Sequence, residues 1–165
     1  KAEGEAAIRR AQPRHLILRT AWVYDADGQN FLRSMLRLAA GRDEIGVVAD
    51  QTGSPTFAPD IADAVLDLAA QVATDPAGGQ RWGTYHLTNG GTTTWAGFAA
   101  AIFEEAGRRG FKTACVRPIT TAEYPTPARR PAYSVLDTGR IADVFGVRLP
   151  MWQDGLARCV ARLTP

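Results

Sequence analysis

The chain has 165 residues, of which 45% are hydrophobic and 22% charged, with a formal net charge of +2. That is enough apolar material for one full core, while so small a charge, spread rather than striped, argues against a nucleic-acid or membrane-surface partner. With no long apolar run, repeat or low-complexity block, one soluble, cytoplasmic domain is expected.

Residues 1–11 favour a helix through Ala, Glu and Arg, and Pro13 stops it. Residues 15–24 follow as one buried strand with a polar and aromatic tip at 20–24. Asn30 is placed to cap a helix over 31–40 that buries Phe31, Leu32, Met35, Leu36 and Leu38 and ends at Gly41. A short strand at 45–49 delivers the chain to 50–60, whose Gly, Pro, Ser and Thr residues read as a fixed loop with exposed polar groups. Asp60 or a neighbour then caps a helix with Ile61, Val65, Leu68 and Val72 on one face, and 74–83 is a surface loop. A strand at 84–89 ends at Gly90 and Gly91, and Thr94 caps a helix that buries Trp95, Phe98, Ala99, Ile102 and Phe103. Pro118 closes a strand at 114–119, after which the Pro-rich stretch 120–131 forms an irregular arm. Helices at 137–145 and 150–163 end the chain.

Strands alternating with helices give an α/β class, in which ligands gather at the carboxyl ends of strands. The tip at 20–24 and the loop at 50–56 lie at such ends. Motif chemistry is otherwise sparse: no Gly-rich phosphate loop, no HExxH, no CxxC and no Ser-centred elbow occurs, and no metal site is expected. His15 and His86 read as structural or half-exposed, and Cys115 and Cys159 as reduced, buried thiols in apolar surroundings. Arg129 and Arg130 suit either a diphosphate clamp or a solvated surface pair, and Trp22 either a ring-stacking platform or core.

Read together, several of these stretches form an ordered set. Lys-x-x-Gly-Glu at 1–5, Leu-Arg-Thr-Ala-Trp-Val-Tyr at 18–24 and Gln-Asn-Phe at 29–31 are followed by Asp-Gln-x-Gly-Ser-Pro-Thr at 50–56. Glu-Tyr-Pro-Thr-Pro-Ala-x-Arg-Pro at 123–131 and Ser-Val-Leu-Asp at 134–137 complete it. In this order they closely resemble the dTDP-4-dehydrorhamnose reductase family of extended short-chain dehydrogenase/reductases, over nearly the whole chain but only the carboxyl-terminal half of such an enzyme.

The resemblance implies the carboxyl-terminal part of a Rossmann-type parallel sheet plus a small α/β substrate-binding subdomain, with 1–24 and about 60–90 contributing to the Rossmann-type core. It implies NADPH-dependent (or NADH-dependent) reduction of the 4-keto group of dTDP-4-dehydro-6-deoxy-L-mannose. Lys1 matches the lysine of a Tyr-x-x-x-Lys pair, which holds the nicotinamide ribose and lowers the tyrosine pKa. The tyrosine is then expected four places ahead of Lys1 and the dinucleotide loop further upstream, so the cofactor is bound mostly by the absent amino-terminal half and the isolated chain is expected to be inactive. Thr20 and Ala21 match the strand end beside the nicotinamide. Trp22 matches an aromatic that packs on the deoxysugar, Asn30 an amide contacting the sugar or diphosphate, and Gln51, Ser54, Pro55 and Thr56 the wall of the nucleotide-sugar pocket. Arg130 matches an arginine that meets the diphosphate. Asp25 departs from the family's Gly and would bring negative charge near an anionic ligand. A homodimer is an admissible assembly. A non-catalytic binding or regulatory subunit on the same fold, or a related nucleotide-sugar epimerase or dehydratase, remain alternatives.

Overall fold

The computed structural model of the chain describes residues 1–74 and 81–165, so most of the loop expected at 74–83 lies outside the described residues. The first half of the order is α1 (Ala2–Ala11), β1 (Leu16–Arg19), β2 (Val23–Tyr24), α2 (Phe31–Gly41), β3 (Glu44–Val48), β4 (Thr52–Gly53), β5 (Thr56–Phe57) and α3 (Ala58–Thr74). The second half is β6 (Gly83–His86), β7 (Thr93–Thr94), α4 (Trp95–Gly107), β8 (Cys115–Ile119), α5 (Gly139–Phe145) and α6 (Trp152–Ala161), with a 3-10 turn at Thr121–Glu123. No helix among the described residues is long and apolar enough to cross a membrane.

Three strand pairs are parallel, β1 with β6, β2 with β5 and β3 with β8, and the short β4 and β7 pair antiparallel. Apolar burial divides the same way. One cluster joins Ala64 and Leu68 of α3, Tyr85 and Leu87, and Ile141 and Phe145 of α5, with Leu16 and Leu18 of β1 packed against it. The larger cluster joins α2, β3, α4 and α6 around Tyr24, Phe57, Phe98 and Trp152. Asn30 caps α2 by accepting from the Arg33 amide, and Thr94 caps α4 by accepting from the Gly97 amide, each relieving an amide that the first turn leaves open.

Several sequence expectations need correcting. The strand expected at 15–24 ends at Arg19, and the chain resumes as β2 beside a different partner, because Trp22 turns it at φ 50°. Residues 50–60 do not form an exposed loop: β4 and β5 lie inside it, and Ser54 and Thr56 are 3% and 0% exposed. Asp60 is no cap; α3 begins two residues earlier, and the Asp60 carboxylate is buried. The buried stripe of α3 runs through Ala64 and Leu68, which leaves Val65 exposed. Pro118 lies within β8 opposite Val47 rather than closing the strand. Of the two thiols, Cys159 is buried as expected and Cys115 is exposed.

Candidate functional site

Burial of the 51–57 segment requires every polar group in it to find a partner inside the protein. Gln51 Nε2 donates to the Thr121 hydroxyl at 2.9 Å, Ser54 Oγ to the Gly91 carbonyl at 2.8 Å and Thr56 Oγ1 to the Ser54 carbonyl at 3.2 Å. The Thr56 amide donates to the Trp22 carbonyl at 3.0 Å, and the Phe57 amide to Asn89 Oδ1 at 2.7 Å. Asn89 Nδ2 in turn donates to Asp60 Oδ2 at 2.7 Å. The segment is therefore a rigid floor, and Gln51, Ser54 and Thr56 act first as its internal ties.

The arm is rooted on this floor at both ends. Asp50 accepts from the Thr121 amide and hydroxyl at 2.7–3.0 Å, and these bonds hold its carboxyl below the ordinary carboxylate value. Glu123 accepts from the Thr120 amide and hydroxyl, with the same consequence. At the far root, the Thr52 amide donates to the Ala132 carbonyl at 2.7 Å, and the Thr52 carbonyl accepts from both the amide and the hydroxyl of Ser134. Between the roots, Tyr124, Arg129 and Arg130 stand exposed, and neither arginine has a partner among the described residues. Each guanidinium keeps its planar fork of N–H donors, the geometry that suits a carboxylate or phosphate.

The strand tip faces the same floor. Trp22 is the non-glycine residue at positive φ among the described residues, and its indole stacks on Trp95 with centroids 3.5 Å apart and planes 10° from parallel. A Cβ on Gly53 would lie 2.3 Å from Trp22 Cε2, with Cζ2 and Nε1 at 2.6 and 2.7 Å, so it would stand over the ring rather than at its rim. Trp95 lies on the opposite face, since an indole on Gly53's side would meet that Cβ before these atoms. Both faces of Trp22 are thus covered within the chain, and its N–H edge reaches solvent and has no partner among the described residues.

Asn30 is equally committed: its oxygen caps α2 and its nitrogen donates to the Asp25 and Asp27 carbonyls at 2.8 and 3.0 Å. The structure uses it to hold the 25–30 turn, and a ligand contact would have to displace one of these bonds. The charge expected from Asp25 is answered by Arg162, which donates to its carboxylate at 2.8 Å. At the other end of the tip, Glu5 of α1 receives Arg19 Nε and Nη2 at 2.8 and 2.6 Å, and Arg19 holds its carboxyl below the ordinary value. That pair fixes the helix carrying Lys1 against the strand end that leads into Thr20 and Ala21. Lys1 Nζ has no partner among the described residues. His15 and His86 each hydrogen-bond a backbone carbonyl through Nδ1, those of Gln12 and Asp137.

These features define a Rossmann-type α/β protein. A family model described as the RmlD substrate binding domain matches residues 1–164, and the chain belongs to that family. The chain is 46% identical over 160 residues to a dTDP-4-dehydrorhamnose reductase of Sinorhizobium fredii and 42% over 165 to one of Escherichia coli K12, covering 97% and 99% of this chain. It spans about half the length of the curated relatives it matches, 54% in both cases. The dTDP-4-dehydrorhamnose reductase of Bacillus anthracis in complex with NADP superposes with a TM-score of 0.85 at 33% identity, over 99% of this chain and 54% of that one. The Clostridium acetobutylicum protein gives 0.85 at 37%, over 98% and 53%. A UDP-glucose 4-epimerase of Brucella ovis, 18% identical at a TM-score of 0.63, shares the fold alone.

Sequence reasoning missed the packing of Trp95 and Gly53 against Trp22 and the Asp60–Arg158 pair. Trp95 carried a helix-face signal only, and Arg158 lies 98 positions from its partner.

Proposed function

We propose that the chain is the carboxyl-terminal, substrate-binding half of an NADPH-dependent dTDP-4-dehydrorhamnose reductase, acting on dTDP-4-dehydro-6-deoxy-L-mannose to give dTDP-L-rhamnose. The supporting observation is the buried 51–57 floor with an arm rooted on it at both ends and bearing two unpaired guanidiniums, in a chain of this family. Arg130 and its neighbour Arg129 meet the diphosphate, Trp22 presents its N–H edge to the sugar, and Pro55 and the backbone of 51–56 shape the wall. Gln51, Ser54, Thr56 and Asn30 contribute by holding that shape.

Lys1, Thr20 and Ala21 fit the ribose and nicotinamide end of a dinucleotide. The free Lys1 ammonium is four residues ahead of Glu5 on one helix, and Glu5 is fastened to Arg19 at the end of a parallel strand. When bound, the dinucleotide supplies hydride. Lys1 holds ribose hydroxyls and favours ionisation of a tyrosine phenol, which protonates the reduced carbonyl oxygen. That tyrosine is not among residues 1–165 in the required position, so the isolated chain binds without turning over. Residues 1–24 and about 60–90 contribute to the Rossmann-type part, and the protein works in the cytoplasm as a homodimer without nucleic-acid or membrane partners.

The test is NADPH oxidation by the native-length protein with dTDP-4-dehydrorhamnose, alongside calorimetric titration with dTDP. Turnover with the sugar and saturable dTDP binding are expected. Absence of both, in a folded protein with its tyrosine present, refutes the reading.

A further inference from the structure

We infer that Trp95 is a positioning residue for the nucleotide-sugar site, acting with Gly53 as a clamp that holds the Trp22 indole edge-on to the ligand. The inference rests on the proposed reading of the site and adds to it Trp95, which the motif set does not contain.

Trp22 sits at φ 50°, a conformation that bulky L-residues adopt only when their surroundings impose it. The surroundings here are explicit. The antiparallel pairing of Thr52 with Thr94 and of Gly53 with Thr93 brings β4 beside the start of α4, so that Gly53 and Trp95 face one another across a slot one aromatic ring thick. Trp22 fills that slot. Phe31 supports Trp95 from behind with centroids 4.7 Å apart, and Phe98 backs Phe31 at 5.6 Å, so the clamp is anchored in the main core. Any side chain at 53 would enter the indole, so glycine is required there by the ring and not by its own backbone angles.

What the clamp leaves exposed is the pyrrole edge of Trp22, whose N–H has no partner among the described residues and reaches solvent. An indole N–H is a donor only, so it selects an acceptor, a sugar hydroxyl oxygen or a phosphate oxygen, and its direction is set by the plane of the ring. Trp95 touches no reacting group; it sets that plane.

The experiment uses the native-length protein and dTDP-L-rhamnose as probe. Two stacked indoles couple their transitions and give a paired positive and negative band in far-ultraviolet circular dichroism. Trp95→Leu and Trp22→Phe should each abolish it, and Trp95→Phe should remove it while keeping a ring in the slot. Calorimetry should show affinity falling about tenfold in Trp95→Leu, with near-recovery in Trp95→Phe, and the KM for the sugar substrate should rise while kcat changes less than threefold. A double-mutant cycle separates positioning from damage: Trp95→Leu should add little to the loss already present in Trp22→Phe. Additive losses, or unchanged affinity in Trp95→Leu once the coupled bands are gone, overturn the inference while leaving the reading of the site intact. No affinity of the unaltered protein for dTDP-L-rhamnose removes the reading, and the inference with it.

Discussion

A single guanidinium nitrogen of Arg158 donates to both carboxylate oxygens of Asp60, at 2.7 and 2.8 Å, although the two residues are 98 positions apart. Asp60 is 4% exposed and also accepts from Asn89, which itself holds the Phe57 amide, so the pair joins α6 to α3 and to the floor of the site. Removing the cation leaves a buried carboxylate with one neutral donor. Because Arg158 is itself about half exposed, water offsets part of the loss, and Arg158→Met is expected to cost about 2 kcal/mol. Urea unfolding measures it, and a change below about 0.5 kcal/mol would show that the pair is a surface ornament.

The acidic latch at the root of the arm has a defined pH window. Asp50 and Glu123 titrate below their ordinary values of 3.8 and 4.5, each held there first by backbone amide bonds. Groups depressed in the folded state add stability above the unfolded values, and that contribution disappears as pH falls through the folded ones. The arm root should therefore stay closed above the ordinary values of 3.8 and 4.5 and loosen only as pH falls below them. Carbon-detected NMR of the two carboxyl groups reads this directly; midpoints at or above 3.8 and 4.5 contradict it.

Replacing the free guanidinium at 130 tests the anion site. Arg130→Ala should raise KM for the nucleotide sugar about tenfold, equivalent to roughly 1.4 kcal/mol, with little change in kcat. Arg130→Lys should recover only part of this, since an ammonium lacks the planar fork. Added salt should weaken the unaltered protein more than the Ala variant. Equal salt dependence in both would place the diphosphate elsewhere.

The two thiols should differ in reactivity. Burial pushes Cys159 up to about 12, while Cys115 is exposed at the start of β8. Alkylation of the folded protein at pH 8, followed by peptide mass spectrometry, should label Cys115 alone, with Cys159 reacting after denaturation. Early labelling of Cys159 would contradict its place in the core.

Local chemistry was readable where the cause is local. Asn30 and Thr94 cap their helices because an accepting side chain precedes an apolar period, and the α/β order follows from that period. The break at Thr20 was not readable, because the groups that pack against Trp22 where the chain turns, Gly53 and Trp95, are distant in sequence. Nor was the burial of Ser54 and Thr56, whose composition suggests solvent until Gly91 and the Trp22 carbonyl supply partners. In α3 the period misplaced Val65 because the inward position belongs to Ala64, a residue too small to signal its face. Cys115 shows the same limit: apolar neighbours do not reveal which side of a strand meets water.

Both feet of the arm stand on three consecutive residues, with Thr121 tied to Asp50 and Gln51, and Ala132 and Ser134 tied to Thr52. A loop whose ends are held so close is a cassette: what lies between can grow, shrink or be exchanged at a cost of about 0.6 kcal/mol for each doubling in length, without disturbing the layers beneath. A change of ligand preference could therefore be grafted here by swapping residues 124–131, leaving the floor that receives the ligand as it is.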